Sequence, residues 1–126
     1  MAGTFVVDQA QSFVMCLLMQ AGPKADFDNP DRQATDVNGV PKWEIQAAVT
    51  FTAEPGRKPV SEVINVGITS IANPAEGLQP GPIVFDGLRV GTTAPEAKSN
   101  GRISGGRFWY SAQGVRAAHM ARSKAE

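Results

Sequence analysis

The segment Lys42–Thr52 constrains this chain more than any other, because its side chains change character at every step. Trp43, Ile45, Ala47, Val49 and Phe51 fall on one side, and Glu44, Gln46, Ala48, Thr50 and Thr52 on the other. Period two is the signature of a half-buried strand, since successive side chains of a strand point to opposite faces. Val60–Ser70 repeats the pattern, with Ile64, Val66 and Ile68 pointing one way. Glu54-Pro55-Gly56-Arg57-Lys58-Pro59 separates the two segments, so they read as a hairpin with Arg57 and Lys58 at its tip.

The other apolar runs are short as well. Ser12–Met19 is nearly continuous, as expected of a strand buried on both faces, and Thr4–Val7 is a short extra strand before it. Ile83–Val90 is a strand with a break, and an expected bulge, at Asp86-Gly87. Arg107–Arg116 is the last strand, with Phe108, Tyr110 and Ala112 on one face and Arg107, Trp109, Ser111 and Gln113 on the other. Between these lie Ala21–Val40, with the turn signals Asn29-Pro30 and Asn38-Gly39, then Asn73–Pro82, then the polar Gly91–Gly106, which reads as a long mobile loop. With 13 Gly and 9 Pro in 126 residues, a helical bundle is excluded. A sandwich needs more strands. The expectation is an all-β fold, a small five-stranded Greek-key barrel of the OB type with long Pro/Gly-rich loops; a split or open barrel gives the same pattern. Residues 1–116 form the single barrel domain and 117–126 a short basic C-terminal tail.

Formal net charge is zero, but the charges are segregated. Residues 1–40 set Asp8, Asp26, Asp28, Asp31 and Asp36 against Lys24 and Arg32. Residues 97–126 set Lys98, Arg102, Arg107, Arg116, Arg122 and Lys124 against Glu126. Such asymmetry suggests an acidic partner or nucleic acid at the basic end, or a solvated basic tail. Cys16 is the only cysteine, so no intramolecular disulfide forms, and within Phe13–Met19 it reads as a small core residue. That usage suits a reducing, cytoplasmic setting. The seven-residue run follows Asp8 and lacks a basic leader, so neither a signal peptide nor a membrane span is expected.

Catalytic chemistry finds little to work with. His119 is the only histidine, which leaves zinc without a ligand set and a Ser or Cys nucleophile without a positioned base. Asp26-Phe27-Asp28-Asn29-Pro30-Asp31 lacks the glycine and the closing glutamate of a calcium loop and reads as an Asx-capped turn. Gly101-Arg102-Ile103-Ser104-Gly105-Gly106 has no GK[ST] ending and precedes a strand, so it is not a phosphate loop. No enzyme, cofactor or metal is expected.

What remains is aromatic and basic. Single strands of nucleic acid are held by cations on phosphates and aromatic rings on bases. Phe108-Trp109-Tyr110 supplies rings, flanked by Arg102, Arg107 and Arg116. Trp109 alternates out of phase with its neighbours and can leave the core beside Arg107; the alternative is that all three rings pack. For Trp43 packing is favoured, because Ile45, Val49 and Phe51 share its face. The expected site is Arg57, Lys58, Lys98, Arg102, Arg107, Trp109, Tyr110 and Arg116.

Several strings, taken in order, resemble a known family. They are Asp26-Phe27-Asp28, Arg32-Gln33-Ala34-Thr35-Asp36, Gly39-Val40-Pro41-Lys42-Trp43-Glu44-Ile45, Val84-Phe85-Asp86-Gly87-Leu88-Arg89-Val90 and Tyr110-Ser111-Ala112-Gln113-Gly114-Val115-Arg116-Ala117. They resemble the actinobacterial plasmid replication, integration and excision activators of integrative conjugative elements and plasmids. The resemblance implies a mobile-element accessory protein that supports replication or transcription activation. Such an activator acts on duplex promoters or on exposed single strands. Because no helix-turn-helix pattern occurs, single-stranded DNA is the favoured partner. A replication initiator or the transcription machinery is the alternative partner, a phage or plasmid structural role a third reading, and a homodimer is left open.

Overall fold

The computed structural model describes residues 4–92, 96–97, 99–104 and 108–118. In chain order these form β1 (Thr4–Val6), α1 (Gln9–Ser12), β2 (Phe13–Pro23), β3 (Lys42–Phe51), β4 (Ser61–Thr69), β5 (Gly81–Asp86), β6 (Arg89–Thr92), β7 (Glu96–Ala97), β8 (Ile103–Ser104), β9 (Phe108–Ser111) and β10 (Gly114–Ala117). The fold is all-β. Eight strands make one mixed sheet in the order β1-β6-β9-β4-β3-β2-β5-β10, and β7 and β8 pair separately. No helix among the described residues is long and apolar enough to cross a membrane.

The alternation in β3 and β4 becomes the core. Ile45, Ala47 and Val49 are buried, as are Ile64, Val66 and Ile68, and the antiparallel register pairs Ile45 with Val66 and Ala47 with Ile64. Leu18, Ile83, Phe85, Leu88 and Val115 complete the cluster from the other strands. Each large aliphatic side chain removed from water contributes about 1.5–3 kcal/mol, so this interior is the main source of stability. The polar set of β3 faces outward, where Thr50 and Ser61 share a 2.8 Å hydroxyl contact.

Residues 81–117 differ from the expected strand, mobile loop and strand. Ile83 pairs with Ala117, Asp86 with Gly114, Arg89 with Ser111, Thr92 with Phe108, and Glu96 with Ser104. Across the described pairs the register is constant. β5–β6–β7 and β8–β9–β10 are therefore the two sides of one unslipped hairpin arm. At its tip Gly101 is left-handed (φ +83°) and the Arg102 N–H donates to Asn100 Oδ1 at 3.0 Å. The break expected at Asp86-Gly87 is present, with Gly87 at φ +65°, the arm kinking there and the Gln113 N–H donating to the Asp86 carbonyl at 2.7 Å. It is not the expected bulge, because the register from Asp86–Gly114 to Arg89–Ser111 inserts no extra residue. Below the kink β5 pairs β2; above it β9 runs parallel to β4.

Two expectations about burial need correcting. Ser12–Met19 is not buried on both faces: Val14, Met15 and Met19 are exposed and only Leu18 is buried. Leu18 lies level with the buried Ala47 and turns inward, whereas Met15 lies level with Thr50 on the outward face of the sheet. Phe108 is also exposed, at 70%, although Tyr110 packs on the core as expected. β9 meets β4 only through Tyr110 and Ser111, so Phe108 lies beyond that pairing at the start of the strand.

Candidate nucleic-acid interface

The outward face of β2, β3, β4 and β9 carries a polar trough whose composition follows from the register. One row across the strands reads Gly22, Glu44, Gly67, Ser111. The next row reads Gln20, Gln46, Asn65, and Trp109 stands beside Asn65 because Val66 is level with Tyr110. Three adjoining hollows of about 390, 270 and 230 Å³ run along these rows and share lining residues. Glu44 and Asn65 belong to two of them, and Lys24, Gly67, Trp109 and Tyr110 to another two.

Trp109 is held by its neighbour across the arm. Gly91 lies opposite it, and a Cβ on Gly91 would stand 2.1 Å from the indole six-membered ring. The ring therefore lies directly on the Gly91 backbone, while the residue stays 39% exposed. The indole is backed by the Gly91 backbone and open on the other side, which suits it to receive a flat partner there.

Cations reach the trough from the loop 24–41. The Lys24 N–H donates to the Lys42 carbonyl at 3.1 Å, the Lys42 N–H to the Ala34 carbonyl and the Ala34 N–H to the Lys24 carbonyl, both at 2.8 Å. The Gln33 side chain also donates to the Lys42 carbonyl at 2.8 Å. Farther out, Asp36 Oδ1 accepts from the N–H groups of Asn38 and Val40, and Gly39 is left-handed (φ +82°), which makes Asn38-Gly39 the turn the sequence suggested. This bonding folds the loop back on the start of β3 and sets Lys24 beside Lys42. Two carboxylates, Glu44 and Glu62, line the same trough, so its charge is balanced rather than basic. Burial, and then the Glu62 carboxylate, hold the Tyr110 hydroxyl above its usual pKa, which keeps it a neutral donor.

The expected site residues are scattered by this geometry. Trp109 lines the trough, and Tyr110 borders it while its ring packs on the core. Arg57, 3.8 Å from Glu54, and Lys58 lie in the exposed turn beyond Phe51, at the far end of the β3–β4 hairpin from Lys42. Arg102 is exposed at the arm tip. Arg116 is occupied by Asp86 at 3.0 Å, on the other side of the kink. None of these four lines the trough. Lys98 and Arg107 lie outside the described residues. Sequence reasoning missed Lys24, Lys42, Glu44, Asn65 and Gly67. Lys42 and Glu44 stood on the polar side of the clearest strand, a signal that was available; Lys24 had none, since only the fold-back of the loop brings it in. Trp43 packs as expected, with its indole N–H donating to the Ser70 carbonyl at 2.8 Å. Comparison of the chain with protein-family models, with curated proteins and with solved structures finds no match in any of the three.

Proposed function

We propose that this chain is a single-stranded DNA-binding accessory module built on a five-stranded OB-like barrel. Counting each half-arm through the kink as one strand, Gly81–Thr92 and Phe108–Ala117, leaves five long strands with β2, β3 and β4. Their pairings run β2 to β3 to β4, β4 to the second half-arm in parallel, that half-arm to the first, and the first back to β2. The hydrogen-bonded sheet itself runs open from β1 to β10, and the barrel reading rests on counting each half-arm as one strand through the break at Gly87. OB barrels bind oligonucleotides on the face of their second and third strands, between flanking loops. The trough lies on the outward face of β3 and β4, with Lys24 from the loop 24–41 on one side and the arm on the other.

The observation that carries the reading is Trp109, backed by Gly91 and open toward the trough. A fixed indole beside two lysines offers base stacking with modest phosphate attraction. The sequence resemblance supports a role on a plasmid or integrative element, where exposed single strands arise during replication, integration and excision. Anisotropy titration of labelled single-stranded and duplex oligonucleotides tests it. Single strands bind more tightly, and Trp109→Ala costs roughly 1–3 kcal/mol of that binding; equal binding of Trp109→Ala and wild type refutes the stacking role. A second reading, a protein-interaction module that recruits replication or transcription machinery, draws on the exposed Val14, Met15 and Met19 of β2. An apolar groove of about 380 Å³ lies beside the first two of them.

A further inference from the structure

Glu44 occupies an unusual place in the trough, with a glycine on either side of it across the sheet. Gly22 pairs with it from β2 and Gly67 from β4. A Cβ built on Gly22 meets no atom within 4 Å, and one on Gly67 meets only the Tyr110 carbonyl at 3.8 Å. The protein thus leaves an open recess around an acceptor-only group. The ion pairs among the described residues, Arg57–Glu54 and Arg116–Asp86, leave Glu44 out. A carboxylate repels phosphate, so a strand crossing this trough gains from Glu44 only where a base edge with N–H donors meets it.

The next outward-facing residue on β3 sets which edge. Gln46 accepts a hydrogen bond from Gln20 Nε2 at 3.0 Å through its Oε1, which leaves its amino group as a donor. Glu44 and Gln46 are two residues apart on one strand face, a separation of about 6.8 Å. The recess therefore presents two acceptor oxygens and, one step along, a donor. Guanine carries the complement on its Watson–Crick edge: N1–H and N2–H₂ side by side, then the O6 acceptor. Thymine places carbonyl oxygens on both sides of its single N–H, and these face the carboxylate unfavourably. Adenine and cytosine each set one amino group against a ring-nitrogen acceptor, so only one carboxylate oxygen is served.

We propose that the recess over Glu44 takes the Watson–Crick edge of guanine, so that the trough selects guanine-bearing single strands over thymine tracts. This rests on the single-strand reading above. The test is anisotropy titration of three labelled 12-mers: all thymine, thymine with four isolated guanines, and thymine with four adenines at the same positions. The isolated spacing prevents guanine quadruplexes. Wild type binds the guanine oligonucleotide at least about tenfold more tightly than the thymine one, with adenine within about threefold of thymine. Glu44→Gln, at an exposed position, brings guanine to within about twofold of thymine, and Gly67→Ala, whose added Cβ stands 3.8 Å from the Tyr110 carbonyl, narrows the preference in the same direction. Circular dichroism checks that both variants fold. Equal wild-type affinity for guanine and thymine oligonucleotides, or a preference that survives Glu44→Gln, overturns guanine selection and leaves single-strand binding standing. Absence of binding to all three overturns the single-strand reading and this inference with it.

Discussion

Gly91→Ala is the sharpest probe of the Trp109 platform, because it adds one methyl group where the indole already sits. The new Cβ would stand 2.1, 2.4 and 2.7 Å from three ring atoms, so the ring must swing away. A tryptophan buries 150–250 Å² when covered, and Trp109 is 39% exposed, so on the order of 120 Å² is now shielded. Losing about half of that exposes roughly 60 Å², which at about 25 cal/mol per Å² costs ~1.5 kcal/mol. Alanine regains about 0.5–1 kcal/mol over glycine within a strand, so the single variant loses about 0.5–1 kcal/mol net. In a Trp109→Ala background the clash is gone and the same change stabilises by about 0.5–1 kcal/mol. The double-mutant cycle should thus give a coupling near 1.5 kcal/mol, read from urea unfolding followed by circular dichroism. Gly91→Ala should also lower oligonucleotide affinity toward that of Trp109→Ala. An effect of the same sign and size in both backgrounds would show that the indole does not rest on Gly91.

Two further outcomes follow from the trough and from β2. With Lys24 and Lys42 as its lining cations, single-strand affinity should fall with salt at a log–log slope of about −1.4; a slope of about −3 or steeper would bring the outlying Arg57, Lys58 and Arg102 into contact. Burial pushes the Cys16 thiol up to about 11 from a usual value of 9.0, so the native protein should react slowly with a thiol reagent at pH 8 and the urea-unfolded chain quickly. The native state disfavours the thiolate, so this group's contribution to stability is intact below about 9 and is lost as pH rises toward about 11; rapid native labelling would refute the burial.

The parts of the fold legible in the sequence are those where one face is buried and the other is wet. In β3 and β4 the alternation of Ile45, Ala47 and Val49 with Glu44 and Gln46 fixes strand type and inward face together. Asp86-Gly87 was equally readable, because a glycine interrupting a strand marks a backbone that side chains cannot follow. The extension of the arm past Thr92 was not. Its polar, glycine-rich sequence resembles a loop, and only the constant register with 103–117 makes it a hairpin. β2 misled for a different reason: its apolar residues on both sides suggested two buried faces, whereas Val14, Met15 and Met19 remain exposed. For the site, basic residues were sought where they cluster in sequence, but the trough assembles Lys24, Lys42 and Trp109 from three distant segments. Composition along the chain carries no trace of that assembly.

The way the arm joins the rest of the sheet bears on how the molecule opens. The β2–β3–β4 meander and the arm are each local hairpins over one shared core, and their strands meet directly along two short seams. One holds Leu17 and Leu18 against Pro82 and Gly81; the other holds Val66 and Gly67 against Tyr110 and Ser111. Amide hydrogens at these seams should exchange through local openings that leave the shared core closed, below the free energy of global unfolding. The trough straddles the second seam, with Asn65 and Gly67 on one bank and Trp109 and Ser111 on the other. A ligand lying across it clamps the two banks together, so its binding energy appears as slowed exchange at Val66–Gly67 and Tyr110–Ser111 while the distant interiors of the two hairpins change little.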